Sequence, residues 1–164
     1  MNGQPSACQA SEVPDEVRDL IHEQELCVLA TVFVDIPHTS LMGYIASPDC
    51  RRLYMASEPG TKKVANIRRN PNVAVLVDSR RAALDGGQGL SLTIKGNCRE
   101  LSDGPERDHA LAVLAGREYL RELFDDGDVA VLEVEAQSFH LLRGTMESMF
   151  IVLDEVCEKE AKKA

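Results

Sequence analysis

The chain predicts a mainly β (α+β) fold, an antiparallel barrel of about six strands with helices appended to it. Three observations carry that expectation. Short apolar runs rich in β-branched residues succeed one another, Pro- and Asp-containing turns join the first of them, and helical periodicity is confined to segments inserted between runs. With 164 residues, 44% hydrophobic and 27% charged, a single domain over 1–164 is expected, with 1–12 and 155–164 as frayed tails.

The elements follow in order. "PDEVRDLIHEQE" sets Val17, Leu20, Ile21 and Gln24 on one helical face, with acidic residues in the first turn where the helix dipole favours them. "LCVLATVFV", "TSLMGYIA" and "LYMAS" then read as a three-stranded meander broken by the turns "DIPH" and "SPDCRR". After Gly60, "TKKVANIRRN" offers Thr61 as an N-cap, Val64 and Ile67 as an inward pair, and Asn70-Pro71 as a stop. "NVAVLVD" is a buried strand, "SRRAALDGGQG" a loop, and "LSLTIKGNCREL" a strand in which Gly96 marks a bulge or a close backbone approach. "DGPERDHALAVLAGREYLRELFDDG" is expected as the longest helix, with Leu111, Leu114, Tyr119 and Leu120 towards the core. "VAVLEVEAQSFHLLRG" supplies one or two further strands.

Charge is unevenly spread. The formal net charge is −9, yet residues 51–70 hold Arg51, Arg52, Lys62, Lys63, Arg68 and Arg69 against Glu58 alone. An acidic surface disfavours nucleic acid and anionic lipid, both of which need many cationic phosphate contacts. A compact basic island can still hold one small anion. A helix that starts at Thr61 presents unpaired N–H groups and the positive end of its dipole, with Lys62 and Lys63 beside it, which suits a phosphomonoester. A solvated basic face is the competing explanation of the same residues.

No apolar run reaches the ~20 residues of a membrane helix, and the N-terminus lacks the basic and apolar regions of a signal peptide. The cytoplasm is therefore expected. Five scattered cysteines without CxxC spacing suit reduced thiols rather than a disulfide frame or a zinc site. P-loop, GxSxG and HExxH patterns are absent, "DGGQGLS" has neither the strand nor the helix a dinucleotide fingerprint requires, and no metal site is expected.

The strands "LCVLATV" and "PHTSLMGYIA", the segment "RLYMASEPGTKKVANIRRNPNVAVLV" and the later "LTIKGNCREL" together resemble the pyridoxamine 5'-phosphate oxidase-like family of FMN-binding split β-barrels. The resemblance covers roughly Val17 to Ser102, and it implies a six-stranded split barrel with FMN as the cofactor. Carried over residue by residue, it implies that Thr61, Lys62 and Lys63 hold the FMN phosphate. Met55, Ala56 and Ser57 lie on the strand that leads there, with Ser57 near the ribityl chain, and Asn66 lies on the helix behind. Thr39, Ser40, Leu41 and Met42 fall where the family lays a strand along the isoalloxazine ring, which requires that strand to have a free edge. For Leu41 and Met42, plain core packing is the alternative.

The resemblance further implies a homodimer with flavin at the subunit interface and NAD(P)H as a possible electron donor. Gly96 and "FHLLRGTMES" are candidates for the part of the partner that covers the ring. One departure matters. The family's true oxidases carry an Arg-Leu-His-Asp-Arg-like motif near the C-terminus, where this chain has Phe139-His140-Leu141-Leu142-Arg143, so vitamin B6 oxidation is not supported. His140 reads as a structural histidine. His38, just before the flavin strand, either closes that strand or takes part in chemistry, and Tyr44 and Tyr54 either stack near the ring or pack in the sheet. A flavin-dependent oxidoreductase and a non-catalytic FMN-binding or electron-relay protein both fit, and relatives of this barrel that use haem or a deazaflavin supply a third possibility.

Overall fold

The computed structural model describes residues 8–79, 86–125, 127–144 and 147–154. One sheet contains β1 (Cys8–Ala10), β2 (Leu26–Phe33), β3 (Ile36–Ala46), β4 (Arg52–Ser57), β5 (Asn72–Asp78), β6 (Leu90–Glu100), β7 (Ala130–Arg143) and β8 (Glu147–Leu153). Its order is β1-β8-β7-β4-β3-β2-β5-β6, and β6 pairs a second time with β7, which closes β2 to β7 into a six-stranded ring. All pairings in the ring are antiparallel, and β1 adds to β8 in parallel. The expected six strands are the ring, to which β8 and β1 are appended. β1 falls in a stretch expected to fray, and the remaining expected tails, 1–7 and 155–164, lie outside the described residues.

The barrel is filled from alternate strand positions, among them Leu29, Leu53, Met55, Val75, Ile94 and Phe139, all with no exposed surface. α1 (Asp15–Glu23) buries Val17, Leu20 and Ile21, as its periodicity predicts, and the Tyr44 hydroxyl donates to the Ile21 carbonyl at 2.7 Å. α2 (Lys62–Arg69) buries Val64 and Ile67 and ends at Asn70. On the outer wall, α3 (Pro105–Ala115), a 3-10 turn (Glu118–Leu120) and α4 (Arg121–Asp125) cover β4, where Leu114, Leu120 and Val129 pack around Ala56.

Three differences from the sequence reading have local causes. The expected long helix is broken at Gly116, whose N–H closes back on Val113 and Leu114 and ends α3. Tyr119 is 40% exposed instead of buried, yet its ring lies against Gly43, where an added Cβ would sit 1.9 Å from Cε2. The expected turn "DIPH" is tighter: Val34 (φ 47°) and Asp35 (φ 62°) form it, and Pro37 and His38 join β3. A primed hairpin turn needs positive φ at both positions, and the β-branched Val34 bears the resulting strain. Pro37 is tolerated because β3 pairs there with β2 alone.

Gly96 is both a bulge and a close approach. The β6–β7 register shifts there, with Gln137 as the extra residue, and an added Cβ would lie 2.1 Å from the Glu135 carbonyl oxygen. The expected loop after β5 falls partly at 80–85, outside the described residues. Cys27, Cys50 and Cys98 are buried free thiols.

Candidate functional site: a split between two strands

β3 and β4 pair only over Tyr44–Ala46 and Leu53–Met55. Continuing that register would set Met42 opposite Ser57, but the ladder stops at Tyr44 and Met55 and the strands part. Ile36 to Gly43 therefore pair with β2 alone, which is the free edge the flavin reading requires. The Tyr44 N–H turns towards β2, bonding the Glu25 carbonyl, as does the His38 carbonyl, which accepts from Thr31 Oγ1 at 3.4 Å. Strand alternation then directs the backbone N–H and C=O of Thr39 and Leu41 to the open edge, and those of Ser40 and Met42 to β2.

Side chains alternate as well. Met42 is buried in the barrel, whereas Leu41 is 70% exposed on the outer face. The two expected ring-packing side chains therefore lie on opposite faces of β3 and cannot both line one face of a ring. Ser40 shares the inward face with His38, whose Nε2 lies 3.4 Å from Ser40 Oγ.

Across the split, β4 delivers the chain to α2. Met55 belongs to the barrel core, Ala56 to the outer layer and Ser57 is buried at the opening. Ser57 Oγ and Thr61 Oγ1 are 3.1 Å apart, and both hydroxyls donate to the Glu58 carbonyl, also at 3.1 Å. Thr61 thus occupies the N-cap position without capping its helix through its side chain. No acidic residue lies in the first turn of α2, and among the described residues the N–H groups of Lys62, Lys63 and Val64 have no hydrogen-bond acceptor. The free donors and the dipole favour an anion at this end, and Lys62 and Lys63 add positive charge beside it.

The basic island now separates into two groups. Arg51 donates to the carbonyls of Ser11 and Asp154, Arg52 and Arg68 pair with Glu106 and Glu100, and Arg69 lies 4.6 Å over the Phe33 ring. Lys62 and Lys63 form no ion pair among the described residues. Lys63 is half-buried, and burial pushes its amine below the ordinary lysine range, with Glu58 opposing. A desolvated ammonium with no partner is poised for an anion.

Other expected positions make contacts within the fold. Asn66 is turned inward, 3% exposed, and its Nδ2 donates to Thr31 Oγ1 at 3.0 Å. Thr31 is the residue the sequence reading missed: it brackets α2 to the hairpin through Asn66 and the His38 carbonyl. A threonine at an inward position of the run "LCVLATVF" was the available signal. Tyr44 is core and Tyr54 bonds Glu106, so neither faces the split. His140 packs edge-on against Phe150 at 6.0 Å, and His22 lies 3.2 Å from Cys50 Sγ. Among the described residues no three His, Cys, Asp or Glu side chains gather as metal ligands.

A closed six-stranded ring, opened on one side between β3 and β4 and faced by an uncapped, lysine-headed helix, defines a split β-barrel. Residues 13–143 match the family model described as pyridoxamine 5'-phosphate oxidase, and the chain belongs to that family. Solved structures agree on the fold. A FAD-binding protein from Mesorhizobium loti is 23% identical over 81% of this chain and 96% of its own, with a TM-score of 0.67. General stress protein 26 from Bacillus anthracis is 23% identical over 85% and 97%, with a TM-score of 0.66. A heme-binding protein from Mycobacterium smegmatis is 16% identical over 85% of this chain and 59% of its own, with a TM-score of 0.70. No curated protein matches the chain. No described helix is long and apolar enough to cross a membrane.

Proposed function

We propose that the chain binds FMN in the β3–β4 split and acts as a flavin-dependent oxidoreductase on a small substrate, with NAD(P)H as electron donor. The observation that carries this reading is the start of α2, where three backbone donors and two lysines lie without partners beside a free strand edge. The residues present fit the cofactor. Lys62, Lys63 and the first-turn N–H groups suit a phosphate dianion, Thr61 and Ser57 line the approach to it, and the open-edge groups of Thr39 and Leu41 suit the polar rim of a ring. When bound, the flavin supplies the redox chemistry. The chain's part is to hold the phosphate, orient the ring along β3 and exclude water from one face with Met42.

A homodimer belongs to this proposal. Leu26, Val34, Ile36 and Leu41 are 46–71% exposed on or beside the hairpin of β2 and β3. A neighbouring groove of about 400 Å³ is lined by Ala30, Val32, Pro37 and Ala74 beside Lys95 and Gln137. Apolar exposure on this scale favours a second copy of the chain, which would cover the outer side of the split. Buried free thiols at Cys27, Cys50 and Cys98 support a reducing, cytoplasmic setting.

An FMN carrier that does not turn over is the second reading. It is favoured by the side chains of the β3 face, where His38 is the one titratable group between Ile36 and Gly43. Purification followed by heat release identifies the chromophore, and anaerobic mixing with NADPH or NADH separates the two readings. Bleaching followed by repeated turnover with an acceptor supports the oxidoreductase, and a yellow protein that no nicotinamide reduces supports the carrier. A preparation that takes up no FMN overturns both.

A further inference from the structure

On the outer barrel wall, Glu106 in the first turn of α3 and Glu133 of β7 share the guanidinium of Arg99. Glu133 of β7 is 3% exposed, and its Oε1 receives Arg99 Nε at 2.7 Å. Its Oε2 is, among the described residues, the one buried side-chain oxygen or nitrogen without a hydrogen-bond partner. Glu106 of α3 is brought beside Glu133 by Arg99, whose guanidinium meets both carboxylates. Glu106 Oε1 accepts from the Tyr54 hydroxyl at 3.0 Å and lies 3.8 Å from Arg52 Nη1, while its Oε2 lies 3.7 Å from Arg99 Nη2. Cys98, whose thiol burial pushes up to about 12, is the remaining titratable neighbour and stays neutral.

A buried carboxylate oxygen without a donor is costly, and two facing carboxylates offer only acceptors to each other. One proton resolves both problems. Placed on Glu133 Oε2, it turns the orphan acceptor into a donor towards Glu106, whose own charge is held by Tyr54, Arg52 and Arg99. We propose that Glu133 and Glu106 share one proton and so form a pH-dependent clasp that fastens the start of α3 to the barrel wall.

The electrostatics run the same way. Burial raises the Glu133 carboxyl above the ordinary range; Arg99 opposes, and facing Glu106 adds to the rise. Glu106 is lowered, first by Glu133 acting as a donor towards it and further by Tyr54, Arg52 and Arg99. A carboxyl raised on folding contributes stability that is complete below its unfolded value and is lost as pH rises through its folded value. The larger the rise on folding, the larger the loss of clasp stability as Glu133 ionises.

Amide hydrogen exchange of α3, corrected for intrinsic rates, tests this between about pH 3.5, below the ordinary glutamate value, and about pH 8. Wild-type protection should fall as pH rises through the Glu133 titration, by more than a Glu133→Gln variant loses over the same range. Glu133→Gln keeps the oxygen that meets Arg99 and offers an N–H to Glu106, so its protection should stay at the acid level throughout. Protection in the wild type that does not change with pH, or a Glu133→Gln variant that loses it in parallel with the wild type, overturns the proposal. Side-chain carboxyl NMR titration of the wild type gives an answer even where the variant does not fold. A Glu133 midpoint above the ordinary glutamate value supports the clasp, and one at or below it overturns the clasp.

Discussion

Replacing Lys62 and Lys63 together by alanine removes the two cations of the basic island that have no ion-pair, hydrogen-bond or ring partner among the described residues. A charge-assisted hydrogen bond contributes about 1.5–3 kcal/mol where it is sheltered, and an exposed ion pair about 0.2–1 kcal/mol. Lys62 is exposed and Lys63 half-buried, so we assign ~0.5 kcal/mol to the first and ~1.5–2 kcal/mol to the second. Together they give ~2–2.5 kcal/mol, a ~30–70-fold rise in Kd for FMN. Binding persists at that weaker level because the N–H groups at the start of α2 are unchanged. Titration of the apoprotein, followed by quenching of flavin fluorescence, should show that loss for FMN and a change of less than about twofold for riboflavin, which lacks the phosphate. Unliganded stability should hold or improve, because burial disfavours the charged form of Lys63. FMN affinity that stays near the wild-type value, or riboflavin affinity that falls equally, would refute the reasoning.

Other perturbations probe the frame around the split. Thr31→Val leaves the buried Asn66 amide without its acceptor and should destabilise the protein by about 1–3 kcal/mol in urea unfolding, whereas Thr31→Ser should restore most of that. Gly43→Ala drives a methyl group into the Tyr119 ring and should cost about 1–3 kcal/mol. The same change in a Tyr119→Ala background should cost far less, and a double-mutant cycle that finds no coupling would place the clash elsewhere. Leu41→Lys puts a charge on the apolar outer face of β3 and should shift sedimentation towards a single chain, while the unfolding midpoint of the separated chain stays close to wild type.

Much of the fold was legible because the barrel obeys period two and its helices obey period 3.6. Val64 and Ile67, or Val17, Leu20 and Ile21, announce an inward face that the folded chain uses as written. Appended strands were harder to see. β1 has three residues, too few for a pattern, and exists because β8 offers it an edge. The break at Gly116 was present as a residue, yet a lone glycine does not say whether a helix bends, ends or continues. Within the candidate site, Thr61, Lys62 and Lys63 could be placed from spacing and resemblance, since a helix start is a local feature. Two outcomes needed the pairing itself: the opposite facing of Leu41 and Met42 follows from the β2 register, and the inward turn of Asn66 follows from Thr31. The meeting of Glu106 and Glu133 on Arg99 joins residues 27 positions apart across a helix and a strand, which no local pattern reports.

Backbone amide NMR of the apoprotein titrated in parallel with FMN and with riboflavin tests most directly whether α2 grips the phosphate while β3 lines the ring. FMN should displace the signals of Lys62, Lys63 and Val64 together with those of Thr39 and Leu41, and riboflavin should displace only the β3 pair. Displacement of neither set by FMN, or signals at the start of α2 that move equally with riboflavin, would contradict the account.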